Sequence, residues 1–188
     1  MPRAAIEQLL YLMDEAFDAP GGWHSLMGNL ASVTQDDWLW TPPGGARTIR
    51  LLTAHIAACK YVYDDYAFGD AAMSWNDPAG DLGLGMEDLQ SEQPLDDEPP
   101  MDDVISWLRE GQRRLREHVA GLDDAGLLEL RKTNRGEMKE TRWIISVMIE
   151  HDLYHAGEIN HIRALRQAND AWAWNTALDS ARPEAVEG

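Results

Sequence analysis

Cysteine is nearly absent: Cys59 stands alone in 188 residues, so no intrachain disulfide and no cysteine-rich zinc knuckle can form. Positive charge is scarce, with 16 Lys and Arg against 33 Asp and Glu and a formal net charge of −17. A chain this acidic has no means of tracking a phosphate backbone, so nucleic acid is not an expected partner. Anionic membrane surfaces are disfavoured for the same reason. Long apolar runs are missing too, none approaching the roughly 20 residues that span a bilayer. The first residues lack the charged-then-apolar pattern of a signal peptide, since Glu7, Asp14 and Glu15 interrupt it. The expectation is a soluble, cytoplasmic protein. Its 44% hydrophobic and 26% charged residues are those of a globular chain rather than a disordered one. The length suits one domain of residues 1–168, followed by a tail over 169–188 that is partly packed and then polar.

What is present is helical periodicity. Ile6, Leu9, Leu10, Met13 and Phe17 recur at three and four residues, predicting a first helix over about 4–32. Pro20-Gly21-Gly22 breaks it, and the pattern resumes over Trp23–Val33, so a kinked or two-piece helix is expected. Thr48 is an N-cap candidate for a second helix, Ile49–Phe68, which Gly69 closes. A third runs from the capping candidate Asp102 to Val119, with Val104, Trp107, Leu108, Leu115 and Val119 apolar and Arg109, Arg113, Arg114 and Arg116 opposite; Gly121 ends it. Residues 123–130 form at most a short helical piece, and 132–136 read as a turn. A fourth helix covers about 141–168. No long β-alternation and no internal repeat occur. The fold class is all-α, a four-helix bundle.

Residues 70–103 differ in kind, with eleven Asp or Glu, no Lys or Arg and four Pro. They predict a long acidic crossover between the second and third helices. Its simplest reading is a solvated loop; the competing one is a lid over a pocket. The arginines of the third helix and of 131–142 are read as offsetting this acidity, with an anionic cofactor as the alternative.

Chemistry concentrates in the histidines. His151 and His155 are spaced i, i+4, about 40° apart on one helical face, which lets two imidazoles grip one metal ion. Alone this is a weak signal, more often met by polar helix residues facing solvent or satisfied by neighbouring side chains. Glu158 lies on the same face, Asp152 projects about 100° away and is not a ligand candidate, and His161 falls roughly 80–120° off and reads as structural. His55, amid Leu51, Leu52, Ile56 and Val62, is either a hydrogen-bonded core residue or a third ligand. Two helices contributing two imidazoles plus one leave positions open for water or substrate. Competing patterns fail on spacing. Glu158-x-x-His161 has no second copy, which excludes a ferritin-like di-iron site. Asp at 152 breaks the His-Glu-x-x-His motif of metalloproteases. Cys59, four residues after His55, reads as inert packing rather than a nucleophile. His118 reads as an exposed residue favourable to its helix dipole. The abundant tryptophans, among them Trp38, Trp40, Trp75, Trp107 and Trp143, read as core or interface anchors, and Trp172 and Trp174 as packing against the bundle or a partner subunit.

His55 and His151-x-x-x-His155, with Trp23-His24-Ser25, Thr48-Ile49-Arg50-x-Leu52 and Tyr154-His155-Ala156-Gly157-Glu158, resemble the DinB/YfiT-like superfamily of metalloenzymes over about residues 5–168. Where many members carry Gln, this chain has Glu158, which adds negative charge beside the site. The resemblance implies a bundle binding one divalent ion, zinc or nickel, through His55, His151 and His155, often as a dimer. It also implies a small-molecule substrate. Its activities include thiol S-transfer and a glutathione-dependent isomerase branch. The function read from it is transfer of a low-molecular-weight thiol to an electrophile through a metal-bound thiolate, with Glu158, His24 or Tyr154 orienting ligands or shuttling protons. The alternatives are a hydrolase acting through metal-activated water and a bundle that binds metal or a small ligand without turnover.

Overall fold

A computed structural model describes residues 2–19, 25–45, 47–91 and 95–168. Four long helices make the bundle: α1 (Ala4–Asp18), α4 (Ile49–Phe68), α6 (Met101–Ala120) and α7 (Thr141–Gln167). Between them lie short helices α2 (Leu26–Leu30), α3 (Gln35–Trp38) and α5 (Met86–Leu89), 3₁₀ turns at Pro78–Leu82 and Gly126–Leu128, and a hairpin of β1 (Leu130–Lys132) and β2 (Met138–Glu140). No described helix is long and apolar enough to cross a membrane.

The helix signals act where the sequence puts them. The Thr48 hydroxyl accepts the Leu51 amide at 3.1 Å and starts α4, while the Gly69 amide closes it on Asp65. The first segment is in two pieces, but the second piece is much shorter than its apolar period suggests. Ser25 caps α2, and Thr34 and Asp37 then cap one another to open the separate α3, with the Asp37 carboxylate 2.7 Å from the Thr34 amide. Capping chemistry overrides the longer period. α6 begins one residue before the expected cap, after Pro100, whose extended ψ of 142° delivers the chain into the helix. The hairpin is absent from the sequence reading because three-residue strands are too short to show alternation. Arg131 pairs with Lys139, and Gly136, at φ 80°, takes the left-handed conformation that its turn requires.

Side-chain pairs give the helix directions. Lys60 meets Gln112 and Asp64 meets His118, so α4 and α6 run parallel. Asp18 meets Arg109 and Asp14 meets Arg116, so α1 is antiparallel to α6. The 69–100 segment therefore has to return along the bundle, about 30 Å for a 20-residue helix. It does so with its acidic side chains Asp70, Asp77, Asp81, Glu87, Asp88, Asp96 and Asp97 exposed, as a solvated loop would have them, but with a few apolar residues packed on the bundle. Ala79, Met86 and Leu89 are buried in the core with Trp38, Leu52, Ile56, Trp107, Leu108 and Ile159. Arg50, fully buried in the first turn of α4, holds the segment through the Glu98 carboxylate at 2.8 and 3.0 Å and through the Ser91 carbonyl. A second core cluster, Ile6, Met13, Leu115, Val119, Ile145 and Met148, joins α1, α6 and α7. Gly111 allows close approach of α6 to α4, since a Cβ there would lie 2.8 Å from the Tyr61 ring.

The arginine expectation is corrected. Arg109 and Arg116 bind Asp18 and Asp14 of α1, Arg113 binds Glu110 and Glu117 of its own helix, and Arg131 and Arg142 bind Glu129 and Glu140. None of these faces the acidic segment; neighbours at helical or antiparallel register are closer. Trp38 and Trp107 are core anchors as expected, whereas Trp75 and Trp143 are exposed. His24, Trp172, Trp174 and the 169–188 tail lie outside the described residues.

Candidate metal centre

His55 reaches from the middle of α4 towards α7, and the i, i+4 spacing of His151 and His155 points both rings back at it. The His151 Nε2 lies 3.3 Å from the His55 Nε2 and 3.1 Å from the His155 Nε2. One ligand nitrogen from each ring falls within 4.8 Å of the others. The three rings line an open cavity of about 730 Å³.

Their electrostatics suit ligands. Burial pushes His55 down to about 4 and His151 down to about 3, with the neighbouring imidazoles adding to both effects. Burial also lowers His155, against the opposing pull of Glu158. All three rings are therefore neutral at pH 7. The His155 Nδ1–H donates to the Glu158 carboxylate at 2.5 Å, which fixes that tautomer and turns the Nε2 lone pair towards the other two rings. Arg47 in turn reaches Glu158 at 3.3 Å.

This arrangement fits a metal ion. Neutral nitrogens 3.1 and 3.3 Å apart can share protons as N–H···N hydrogen bonds, and with those protons displaced their lone pairs converge on one point where an ion can sit. Nitrogens about 2.0–2.1 Å from a tetrahedral zinc would stand about 3.3 Å apart, close to the separations here. The His151 Nδ1 is buried with no hydrogen-bond partner, so this ring is held by packing and by whatever its Nε2 engages.

Other candidates fall elsewhere. Tyr154 is exposed at the cavity rim, its ring 5.0 Å from that of His155. Asp152 points away from the cavity, as expected, but into a pairing the sequence did not reveal. Its carboxylate receives the Lys60 ammonium at 2.7 Å, and Gln112 accepts from the same ammonium at 2.8 Å, all three buried. Cys59 lies 3.7 Å from the His55 Nε2 but outside the three-nitrogen group, and burial pushes its thiol up to about 12, the state of an unreactive packing residue. His118 is not simply a dipole partner, because its Nδ1 binds the buried Asp64 carboxylate at 2.6 Å. His161 is exposed.

The cavity wall also contains residues that the sequence reading passed over as site residues. Trp75 and Gln90 come from the acidic segment, Trp75 stacked near-parallel to His55 at 6.5 Å, so this segment forms part of the cavity wall. Arg47 stands before α4, and Asn134 and Arg135 come from the hairpin turn. Only the chain's return path could have suggested the first pair; Arg135 is among the 131–142 arginines for which an anionic cofactor was the alternative reading, and nothing in the local sequence marks Arg47 or Asn134.

Fold and site together define an all-α bundle with a three-histidine cluster able to hold a metal ion. The chain belongs to the DinB superfamily, whose family model matches residues 21–159. No curated protein matches the chain.

Proposed function

We propose that the protein is a metal-dependent enzyme of DinB type that transfers a low-molecular-weight thiol to an electrophilic small molecule. The supporting observation is the meeting of three neutral imidazoles at the wall of a cavity whose described lining includes no carboxylate. Zinc best matches three neutral nitrogen donors at these spacings, and nickel is the second candidate. When bound, such an ion supplies positive charge that lowers the pKa of an adjacent thiol.

A described lining without a carboxylate disfavours one kind of hydrolysis. Metal-assisted hydrolysis of the metalloprotease kind relies on a glutamate base at the open side of the site. Here the nearest one, Glu158, is occupied by the His155 Nδ1 and Arg47. A thiol, with an ordinary pKa near 8.5, needs no such base near neutral pH. In the transfer, the S–H proton leaves to solvent at the cavity mouth. Sulfur forms the new bond to carbon, and the leaving group departs with the electron pair of the bond it gives up. Glu158 holds the His155 tautomer, Arg47 holds Glu158, and Trp75, Leu51 and Val147 offer apolar surface to the electrophile. Tyr154, at the rim, is the relay proposed for that proton on its way to solvent. A small-molecule partner, a homodimer and a cytoplasmic setting complete the reading.

The test starts with metal content of tag-free protein, wild type against His155→Ala. About one equivalent in wild type and none in the variant is expected. Thiols are then paired with alkylating and aryl-halide electrophiles, and loss of free thiol is followed. Thiol-dependent consumption that His155→Ala abolishes supports the proposal. Turnover without thiol points instead to hydrolysis, and metal binding with neither activity to a binding protein.

A further inference from the structure

The cavity wall carries an exposed cation, Arg135, that acts on its neighbour Tyr63 through charge but holds no carboxylate. Most described Lys and Arg side chains face a carboxylate, as Arg47 faces Glu158 and Arg116 faces Asp14. Arg3 and Arg163 donate to carbonyl or amide oxygens, and Arg114, Lys132 and Arg166 lie over aromatic rings. Among the described residues, Arg135 alone has no ion pair, hydrogen bond or ring partner. It sits at the tip of the β1–β2 turn, which is closed by the Thr133 amide donating to the Glu137 carbonyl at 2.8 Å and the Gly136 amide to the Thr133 carbonyl at 2.9 Å.

Beside it, Asn134 lines the same cavity, and its Oδ1 is buried with no hydrogen-bond partner. A buried acceptor without a donor costs desolvation free energy that a ligand N–H or O–H would recover. An unpaired guanidinium next to it offers a planar fork for a carboxylate. On a chain of net charge −17 an approaching anion is repelled overall, so a local cation at the cavity decides whether an acid can enter.

Resting on the thiol-transfer reading of this cavity, we propose that Asn134 and Arg135 form a carboxylate-recognition subsite, so that one of the two reactants is an organic acid held by its carboxylate at Arg135, with Asn134 accepting any N–H or O–H it carries nearby. The acid is either the thiol itself or its electrophilic acceptor, since both enter the same cavity. Arg135 is the positioning residue for that reactant.

The experiment measures calorimetric affinity of the zinc-loaded full chain for four probes: 3-mercaptopropionate, 3-mercaptopropan-1-ol, propionate and propan-1-ol. An acid is expected to bind at least about tenfold more tightly than its uncharged counterpart, as a charge-assisted hydrogen bond implies. Arg135→Ala should bring that ratio close to one, Arg135→Lys should keep part of it, and Arg113→Ala, a surface cation away from the cavity, should leave it unchanged. 3-Mercaptopropionate that binds more tightly than both propionate and 3-mercaptopropan-1-ol, its two ends engaged at once, assigns the subsite to the thiol; 3-mercaptopropionate no tighter than either, with propionate binding beside 3-mercaptopropan-1-ol, assigns it to the acceptor. Equal affinity for acid and alcohol in wild type, or an acid preference that survives Arg135→Ala, overturns the proposal. The parent reading fails separately, if 3-mercaptopropan-1-ol binds no better than propan-1-ol. Tryptophan emission, with Trp75 in the cavity wall, gives a second readout independent of turnover.

Discussion

His151 and Asp152 are neighbours in the chain and lie on faces of α7 about 100° apart, and the protein treats them in opposite ways. Asp152 turns into the core, where the Lys60 ammonium and Gln112 complete a fully buried polar cluster. His151 turns to the cavity, where its Nδ1 has no partner and its Nε2 faces two other imidazoles. Burial raises the Asp152 carboxyl while Lys60 opposes it, and burial lowers His151 to about 3 with no carboxylate among the leading causes to oppose it. One group has been given its counter-charge by the fold; the other has been left neutral and incomplete. Polar groups that the fold satisfies internally hold helices in register, and those it leaves waiting mark where a ligand belongs.

The comparison is most sharply broken at the satisfied side. Asp152→Ala strands the Lys60 ammonium in the core, and urea unfolding should show a loss of about 3–5 kcal/mol. The double replacement Lys60→Met with Asp152→Leu removes both charges, and should recover most of that loss while leaving metal binding intact. If the double variant stayed as unstable as the single one, packing rather than stranded charge would explain the cost.

At the unsatisfied side the effect runs through the ligand. Zinc at a hundred times its Kd should stabilise wild type by about 2.7 kcal/mol. His155→Ala should show no such gain in a thermal-shift or urea titration, and little change without metal.

Acidification gives a third separation. In the metal-free protein His55 and His151 titrate at about 4 and about 3, but near 6.5 once unfolded. Between about pH 6.5 and 4 the unfolded chain takes up protons that the folded one does not, so stability rises with pH across this window and is lost as pH falls. Two such groups contribute a slope of at most about 2.7 kcal/mol per pH unit. Urea midpoints at pH 7, 6 and 5 should reveal it, and His151→Gln should remove the His151 share while leaving those of His55 and of His155, which burial also lowers.

The smallest expected effect is at Glu158. Its replacement by Ala frees the His155 Nδ1–H and should weaken metal binding by about 10–100-fold, measured by competition with a chelator of known affinity. Glu158→Gln keeps an acceptor without the charge and should fall between the variant and wild type. An unchanged affinity in Glu158→Ala would show that packing alone holds the ring.

The bundle was legible in the sequence because its helices depend on neighbours in the chain: the period of apolar residues, the Thr48 cap, the closures at Gly69 and Gly121, and the i, i+4 spacing that puts His151 and His155 on one face. Those interactions act within a turn or two, so spacing records them. The placement of His55 opposite the pair was an expectation that required the packing of α4 on α7 to realise. Tertiary structure decided the rest. Lys60 with Asp152, Arg50 with Glu98 and Trp75 over His55 join residues between 20 and 92 positions apart, and no local pattern encodes such meetings. The acidic segment became part of the cavity wall because parallel α4 and α6 force the chain back along the bundle. Arg135 was left without an ion pair because the hairpin turn holds it at a cavity whose described lining has no carboxylate. Helix formation is a short-range matter and was determined by the sequence itself; which charges find partners, and which are left to a ligand, follows only once the helices have packed.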